Sequence, residues 1–176
     1  RIDILKVHIR NVRHEDNINF EQVGLATAGA SGADLANMIN EAALRAVREG
    51  RTEVTQRDIV ESVEVVIAGY ERKSMVISPE EKKIIAYHEV GHALVAASQT
   101  HSAPVAKITI IPRTSGALGY TLQIDKEEKF LMSKEELYNQ MVTLSGGRAA
   151  EEVIFNTQTT GASNDKEKIT NIANAI

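Results

Sequence analysis

The sequence predicts a mostly α-helical protein, in which an all-helical bundle is followed by an α+β part with one small β-sheet. Apolar residues recur at helical spacing through most of the chain. Several segments begin with Ser or Thr followed three residues later by an acidic residue, a common helix start; they begin at Ser31, Thr55, Ser78 and Ser133. Residues 104–124 instead show the β-branched, alternating pattern of strands.

The composition is that of an ordinary soluble globular protein of 176 residues, with 43% hydrophobic residues and a net charge of −4. Lysine and arginine are dispersed, so we expect no nucleic-acid partner. Cysteine is absent, which excludes disulfides and thiolate zinc sites, fits a reducing compartment, and leaves nitrogen and oxygen as metal ligands. No apolar stretch reaches the roughly 18–20 residues of a membrane span. Both ends fall within amphipathic patterns, so we expect an excerpt of a longer protein.

The first part of the chain, residues 1–69, is predicted to be a small all-helical bundle. Residues 2–9 form an apolar stretch, and residues 20–25 form a weaker one. The helix that starts at Ser31 carries apolar residues at helical spacing, and so does the helix that starts at Thr55. A bundle of this size is a packing unit, and its pattern alone indicates no chemistry.

The second part, residues 79–176, follows a predicted linker over residues 70–78. Its first helix has the strongest start in the sequence, because Ser78 can cap it and a proline occupies the first helical position. We expect this helix to run to about Ser98, where the apolar periodicity ends. The helix also carries the residues on which the functional prediction depends.

The rest of the second part is predicted to contain a strand pair and two further helices. The strands are expected at residues 107–111 and 120–124, separated by a proline and two glycines. A helix starts at Ser133, and in it the glycine pair 146–147 either breaks the helix or permits very close packing. The last helix begins at about Ser163.

The helix from Ser78 contains a His-Glu-x-x-His motif formed by His88, Glu89 and His92. Histidines four residues apart project from one face of a helix, so both imidazoles can bind a single tetrahedral Zn²⁺. Glu89 lies beside the ligands, where its carboxylate can take a proton from a water molecule that the metal makes acidic and pass it to the leaving amine. The motif therefore predicts a zinc peptidase, against the alternative of histidines that merely pack in a core.

Zinc needs a third protein ligand, and spacing alone does not identify it. A metzincin would have His at position 98 and Gly at position 95, but the residues are Ser98 and Val95, which excludes that class. His101 is close in sequence but falls in a predicted loop, from which it cannot easily fold back. Carboxylates remain as candidates: Glu151 and Glu152, whose alternative is a solvated pair on a helix, and Asp165, whose alternative is a charge at a helix start favoured by the helix dipole.

Several segments resemble successive sequence blocks of the FtsH family and occur in the same order as in that family. Its members are membrane-anchored, ATP-dependent zinc proteases. In the second part they are residues 88–94, 107–113, 116–119, 145–152 and 160–165. In the first part, residues 4–8 and 31–37 resemble the helical lid of the family's AAA+ ATPase module. The resemblance covers almost the whole chain.

The resemblance implies a full set of residues for the zinc site. By position, His88 and His92 are ligands, Glu89 is the catalytic base and Asp165 is the third ligand. Glu151 is then either the alternative third ligand or a residue that contacts a ligand. Spacing left Asp165 and Glu151 open, and it is the resemblance that favours Asp165.

The same resemblance implies a substrate-binding edge strand around residues 116–120. Its residues are Gly116, Ala117, Leu118, Gly119 and Tyr120. An extended substrate would pair with this edge by β-augmentation, which gives main-chain affinity with little sequence preference. Such binding suits a protease of unfolded or membrane proteins.

In the lid, the resemblance places His8 against the adenine of ATP and brings the backbone of Gly32 and Ala33 close to the nucleotide. The chain contains no phosphate-binding loop, so it is not expected to hydrolyse ATP alone, and ATP with Mg²⁺ belongs to the parent protein. The family's later protease helices are also expected to lie outside the chain.

The resemblance further implies that the parent protein is a homohexamer in protein quality control. It would be held by a missing anchor on the cytoplasmic face of a membrane, the bacterial inner (plasma) membrane. Two other classes remain open: a catalytically silent lid or scaffold module that binds partners, and an ATP-independent zinc peptidase with Glu151 as third ligand.

Overall fold

The computed structural model describes residues 1–125 and 131–176. Regular structure in these residues comprises seven α-helices, two strands and one short 3₁₀ turn. In chain order they are α1 (Ile2–Ile9), α2 (Phe20–Ala26), α3 (Gly32–Arg48), α4 (Gln56–Ala68), α5 (Pro79–Ser98), β1 (Val105–Thr109), β2 (Tyr120–Gln123), α6 (Lys134–Phe155), the 3₁₀ turn (Thr160–Ala162) and α7 (Ser163–Ala175). The predicted fold class, mostly α with one small sheet, is confirmed.

The four predicted helix starts form complete capping boxes. At the start of α5, the Ser78 hydroxyl accepts the amide N–H of Glu81, and the Glu81 carboxylate accepts the amide N–H of Ser78. Pro79 occupies the first helical position, where its missing N–H has no helical partner to lose. Equivalent boxes start α3, α4 and α6. Local sequence therefore fixes where these helices begin.

The chain divides into two compact units, which we describe separately. The first unit consists of Arg1–Glu71 together with Arg113–Ser115. Its helices α1 to α4 surround one apolar core, in which the following side chains are almost completely buried: Leu5, Ile9, Val23, Leu35, Met38, Ile39, Ile59 and Val63. This burial explains the helical apolar periodicity of residues 1–69.

Residues 113–115 belong to the first unit, although they lie far from it in sequence. The buried guanidinium of Arg113 pairs with the buried carboxylate of Glu64 in α4 at 2.9 Å. The Thr114 amide donates to the Tyr70 carbonyl at 2.8 Å, and the Ser115 hydroxyl donates to the Ala68 carbonyl at 2.7 Å. The sequence pattern did not predict that residues 113–115 lie in the first unit. The domain limits predicted from the sequence, residues 1–69, 70–78 and 79–176, remain a prediction.

The second unit consists of Arg72–Pro112 and Gly116–Ile176 and contains α5, both strands, α6 and α7. Helices α5 and α6 touch backbone to backbone at Gly91 and Gly146. A Cβ on Gly91 would lie 2.5 Å from the Gly146 carbonyl oxygen, and a Cβ on Gly146 would lie 2.7 Å from that of Gly91. Of the two outcomes predicted for the glycine pair 146–147, the structure shows close packing and not a helix break, because α6 continues through the pair to Phe155.

The strands β1 and β2 form a two-stranded antiparallel sheet, in which Ile108 pairs with Thr121 and Thr109 with Tyr120. The limits differ from the prediction. Strand β1 ends at Thr109, so the predicted residues 110–111 lie outside it, and β2 ends at Gln123. Strand β1 also starts two residues early, and its register is irregular between Val105 and Lys107.

Among residues 1–125 and 131–176, every helix is too short or too polar to cross a lipid bilayer.

Candidate metal centre

Helix α5 brings His88 and His92 together on its buried face. The two residues are one helical turn apart, and their imidazole rings meet edge to face with centroids 4.7 Å apart. The Nε2 atoms lie 3.0 Å from each other. Both residues are more than nine-tenths buried. The predicted ligand pair therefore shares one small, largely buried space.

Asp165 joins the pair from the first turn of α7. The 3₁₀ turn Thr160–Ala162 leads the chain into this helix. The Asp165 Oδ2 atom lies 3.3 Å from the Nε2 atoms of both His88 and His92. Within the described part of the chain, His88, His92 and Asp165 are the residues whose ligand atoms lie close enough together to hold a metal ion.

The outer nitrogen of each imidazole is engaged by an oxygen atom. His88 Nδ1 lies 2.7 Å from Glu151 Oε1, and His92 Nδ1 lies 2.9 Å from the Thr143 carbonyl oxygen. The Gly147 amide N–H also approaches His92 Nδ1, at 3.3 Å, but the Thr143 carbonyl oxygen is closer and can only accept, which favours a proton on His92 Nδ1. A carboxylate oxygen beside His88 Nδ1 favours the same tautomer for that ring. In a neutral imidazole the lone pair is then on Nε2, the atom that faces the cluster.

Glu151 is almost fully buried in α6 and makes further contacts away from the cluster. Its carboxylate accepts the Thr159 amide N–H at 2.7 Å and the Thr159 hydroxyl at 3.1 Å. Thr159 directly precedes the turn that leads to Asp165. Glu151 thereby connects the orientation of the His88 ring to the position of α7.

The cluster fits a tetrahedral zinc ion. With zinc–ligand bonds of about 2.0–2.1 Å, neighbouring ligand atoms in a tetrahedron are about 3.3 Å apart. The three separations here are 3.0, 3.3 and 3.3 Å. The donor set of two imidazole nitrogens and one carboxylate oxygen is one that zinc accepts, and it leaves a fourth position for water or substrate.

Gly147 in α6 closes the space behind the ligand atoms. A Cβ added there would lie 2.5 Å from the Nε2 atoms of both His88 and His92. These rings cannot easily move aside, because both are buried and hydrogen-bonded through Nδ1. The absence of a side chain at this position therefore keeps the ligand atoms accessible.

Electrostatics favour an ionised Asp165. Burial raises the pKa of its carboxyl group, but hydrogen bonds with His88 and His92 outweigh burial and hold this pKa well below its ordinary value. For His88, burial lowers the imidazole pKa, but hydrogen bonds with Asp165 and Glu151 outweigh it, so the pKa is raised. The cluster thus gathers negative charge around the imidazoles, as a cation site requires.

Glu89 lies between the two histidines in sequence and is also more than nine-tenths buried. Burial raises the pKa of its carboxyl group, and this outweighs the lowering by the His92 charge and by the hydrogen bond from Thr121. The Thr121 hydroxyl lies 3.1 Å from Glu89 Oε2. A carboxylate in such a setting is suited to accept a proton.

The predicted substrate segment is largely irregular, because β2 begins only at Tyr120. Residues 116–119 precede the strand, and Gly116 has a positive φ of 96°. This corrects the expectation of a strand around residues 116–120. Gly119 lies beside the catalytic candidate: a Cβ there would be 3.0 Å from Glu89 Oε1.

The three predicted nucleotide contacts lie in the first unit and are exposed. His8 is in the last turn of α1, and Gly32 and Ala33 are in the first turn of α3. A Cβ on Gly32 would meet no atom within 4 Å, so its backbone is open to a neighbouring molecule.

Three features of the site were not predicted from the sequence. The Thr143 carbonyl has no sequence signal, because any residue supplies a carbonyl. Thr121 looks like an ordinary strand residue. Gly147 was expected to affect helix packing but was not expected to lie against the ligand atoms.

Comparison with protein families matches residues 75–176 to Peptidase family M41 and residues 17–61 to the AAA+ lid domain. The chain is 60% identical, over 98% of its length, to the ATP-dependent zinc metalloprotease FtsH of Clostridium perfringens. Identity is 56% to FtsH of Lancefieldella parvula and 51% to FtsH of Thermotoga maritima, both over 98% of this chain. These alignments cover 24%, 27% and 28% of the respective relatives, so the chain spans about a quarter of their length.

Proposed function

We propose that this chain, which belongs to peptidase family M41 and to the FtsH family, is the zinc-binding part of an ATP-dependent metalloendopeptidase. The observation that carries the proposal is the convergence of three ligand atoms, from His88, His92 and Asp165, beside the buried carboxylate of Glu89. The reaction is hydrolysis of a peptide bond.

His88, His92 and Asp165 would hold the metal, and Glu89 would move the proton. Zinc supplies Lewis acidity, which lowers the pKa of water towards 7 and polarises a carbonyl group. Glu89 accepts the proton of the attacking water and returns it to the amine nitrogen as the peptide bond breaks. The buried setting of Glu89, which raises the pKa of its carboxyl group, favours this exchange.

Asp165 is the third ligand in this proposal, and Glu151 orients His88. The Asp165 carboxylate lies on the Nε2 side of both rings, whereas Glu151 lies on the Nδ1 side of His88. Both carboxylate oxygens of Glu151 already accept hydrogen bonds. A carboxylate behind a ligating histidine fixes its tautomer and orientation.

Substrate binding would use the start of β2, beside Glu89. Within the described residues, β2 pairs with β1 alone, and Tyr120 begins the strand directly after residues 116–119. An extended chain paired with this strand would present its peptide groups near the catalytic carboxylate with little side-chain preference. Unfolded polypeptides, including membrane proteins, are the substrates that fit such recognition.

The first unit would act as the lid of an AAA+ ATPase module, with His8, Gly32 and Ala33 facing ATP and its Mg²⁺ in the parent protein. The match of residues 17–61 to the lid domain and the ATP-dependence in the relatives' names support this part. We further propose a homohexamer held by an anchor segment on the cytoplasmic face of the bacterial inner membrane.

Removing the metal should abolish peptide hydrolysis. In the full-length protein, treatment with the chelator 1,10-phenanthroline followed by dialysis is expected to reduce cleavage of a fluorogenic peptide to background. About one equivalent of zinc per chain should restore it. ATP hydrolysis, measured in parallel, should persist, because the nucleotide site holds no zinc.

Cleavage that survives complete zinc removal would contradict the proposal. Absence of any cleavage by the zinc-loaded protein, with ATP hydrolysis intact, would favour the silent lid or scaffold module.

A further inference from the structure

The hydroxyl of Thr121 in β2 lies within hydrogen-bond distance of two oxygen atoms of Glu89. Its Oγ1 atom is 2.9 Å from the Glu89 carbonyl oxygen in α5 and 3.1 Å from the carboxylate atom Oε2. One hydroxyl thus contacts both the backbone and the side chain of the proposed general base. Within the described residues, Thr121 supplies the side-chain hydroxyl that lies within hydrogen-bond distance of the Glu89 carboxylate.

The surrounding backbone explains why the contact is well defined. Thr121 pairs with Ile108 across the sheet, which fixes the direction of its side chain. Gly119, two residues earlier, packs against the same carboxylate, since a Cβ there would lie 3.0 Å from both Cγ and Oε1 of Glu89. The carboxylate is therefore held between the backbone at Gly119 on one side and the Thr121 hydroxyl on another.

We propose that Thr121 is a positioning residue, which fixes the orientation of the Glu89 carboxylate for its work on water and the leaving amine. A threonine that only joined β2 to α5 would need the bond to the Glu89 carbonyl alone. The additional approach to Oε2 gives the hydroxyl a second partner, and a hydroxyl can both donate and accept. When the Glu89 side chain is a carboxylate, the Thr121 hydroxyl can donate a hydrogen bond to it. When the Glu89 side chain is protonated, the hydroxyl can accept a hydrogen bond from the carboxylic acid and donate its own to the Glu89 carbonyl oxygen.

This inference rests on the proposed peptidase function. It also joins the proposed substrate strand to the catalytic residue, because β2 begins at Tyr120 and Thr121 is its next residue. A substrate that pairs with this strand would bind one residue away from the group that orients the base. Correct orientation of the base affects the chemical step more than it affects substrate affinity.

The test compares Thr121→Val with Thr121→Ser in the full-length, zinc-loaded protein. Valine keeps the shape and the strand preference of threonine but removes the hydroxyl, whereas serine retains the hydroxyl. With a fluorogenic peptide as substrate, we expect Thr121→Val to lower kcat about tenfold, since one oriented hydrogen bond is lost. KM should stay within about twofold, and Thr121→Ser should restore most of kcat.

Thr109→Val is the matched control, because it removes a hydroxyl from the neighbouring strand whose hydrogen bond, among the described residues, is the local one from the Ile111 amide. It should leave kcat near the wild-type value. Zinc content and the midpoint of thermal unfolding are measured for every variant. For Thr121→Val, unchanged zinc content and a midpoint close to that of Thr109→Val would separate positioning from a general loss of structure.

Glu89→Gln, measured beside these variants, separates the inference from the function on which it rests. If Glu89→Gln abolishes hydrolysis while Thr121→Val retains wild-type kcat, the positioning role is wrong and the proposed function stands. The positioning role is equally wrong if Thr121→Ser is as impaired as Thr121→Val, or if zinc is lost with kcat. If Glu89→Gln remains fully active, the proposed function fails and the inference fails with it.

Discussion

Replacement of Glu89 by Gln is expected to lower kcat for peptide hydrolysis by about 10³-fold while leaving about one zinc per chain, because a general base typically contributes factors of this order. Gln has almost the same shape but cannot accept the proton from water. The metal should stay, since Glu89 is not among the three residues whose ligand atoms converge. Peptide cleavage and zinc content are measured on the same full-length preparation.

Glu80→Gln is the control for this experiment, because Glu80 is an exposed residue in the first turn of the same helix. It should retain both zinc and activity. If Glu89→Gln cleaves peptides at the wild-type rate, Glu89 is not the base. If it loses zinc as completely as His92→Ala, Glu89 holds the metal instead of moving the proton.

Replacement of Gly147 by Ala is expected to cause a second large loss, in this case of zinc itself. The added methyl group would lie 2.5 Å from the Nε2 atoms of His88 and His92, which is far inside van der Waals contact. The rings would have to turn away and break their hydrogen bonds with Glu151 and the Thr143 carbonyl. We expect zinc affinity to fall at least about 100-fold, since disturbing the groups that orient ligands already costs 10- to 100-fold.

Ser145→Ala tests whether a small change in the same helix has this effect by itself. Ser145 is exposed, and its hydroxyl bonds within α6 to the Met141 carbonyl, so its loss should leave zinc and activity intact. Circular dichroism should show that Gly147→Ala remains helical. A folded Gly147→Ala protein that binds zinc as tightly as wild type would contradict the described arrangement of the ligand atoms.

Local signals in the sequence were sufficient to predict most of the helices. Ser78, Pro79 and Glu81 act over a single turn, and the structure shows the capping box that they predict. The spacing of His88 and His92 likewise placed both on one helical face, because that relationship depends on helix geometry alone. Predictions that depend on neighbouring residues in one element were therefore the most dependable.

Relationships between distant segments were beyond the reach of these patterns. The sequence left Glu151 and Asp165 as equivalent carboxylates, because both occur in ordinary helical contexts. In the structure Asp165 approaches the Nε2 atoms of both histidines, whereas Glu151 approaches Nδ1 of His88, and this depends on how α6 and α7 pack against α5. The resemblance to FtsH proteins, and not the residue pattern, favoured Asp165.

The sheet shows the same limit. Residues 110–111 have β-branched side chains, so the pattern extended β1 over them, but the antiparallel pairing ends at the Thr109–Tyr120 pair. Strand pairing is decided by the partner strand and by the chain that connects the two. Here that connection includes residues 113–115, which belong to the first unit, where Arg113 pairs with Glu64.

The central claim is that His88, His92 and Asp165 hold the zinc ion, and zinc content per chain tests it most directly. Elemental analysis would compare the full-length wild type with Asp165→Asn and Glu151→Gln, each dialysed at a free zinc concentration well above that needed to saturate the wild type. We predict about one zinc per chain in the wild type and in Glu151→Gln, and a small fraction of that in Asp165→Asn. Full zinc content in Asp165→Asn, with loss in Glu151→Gln, would contradict the claim.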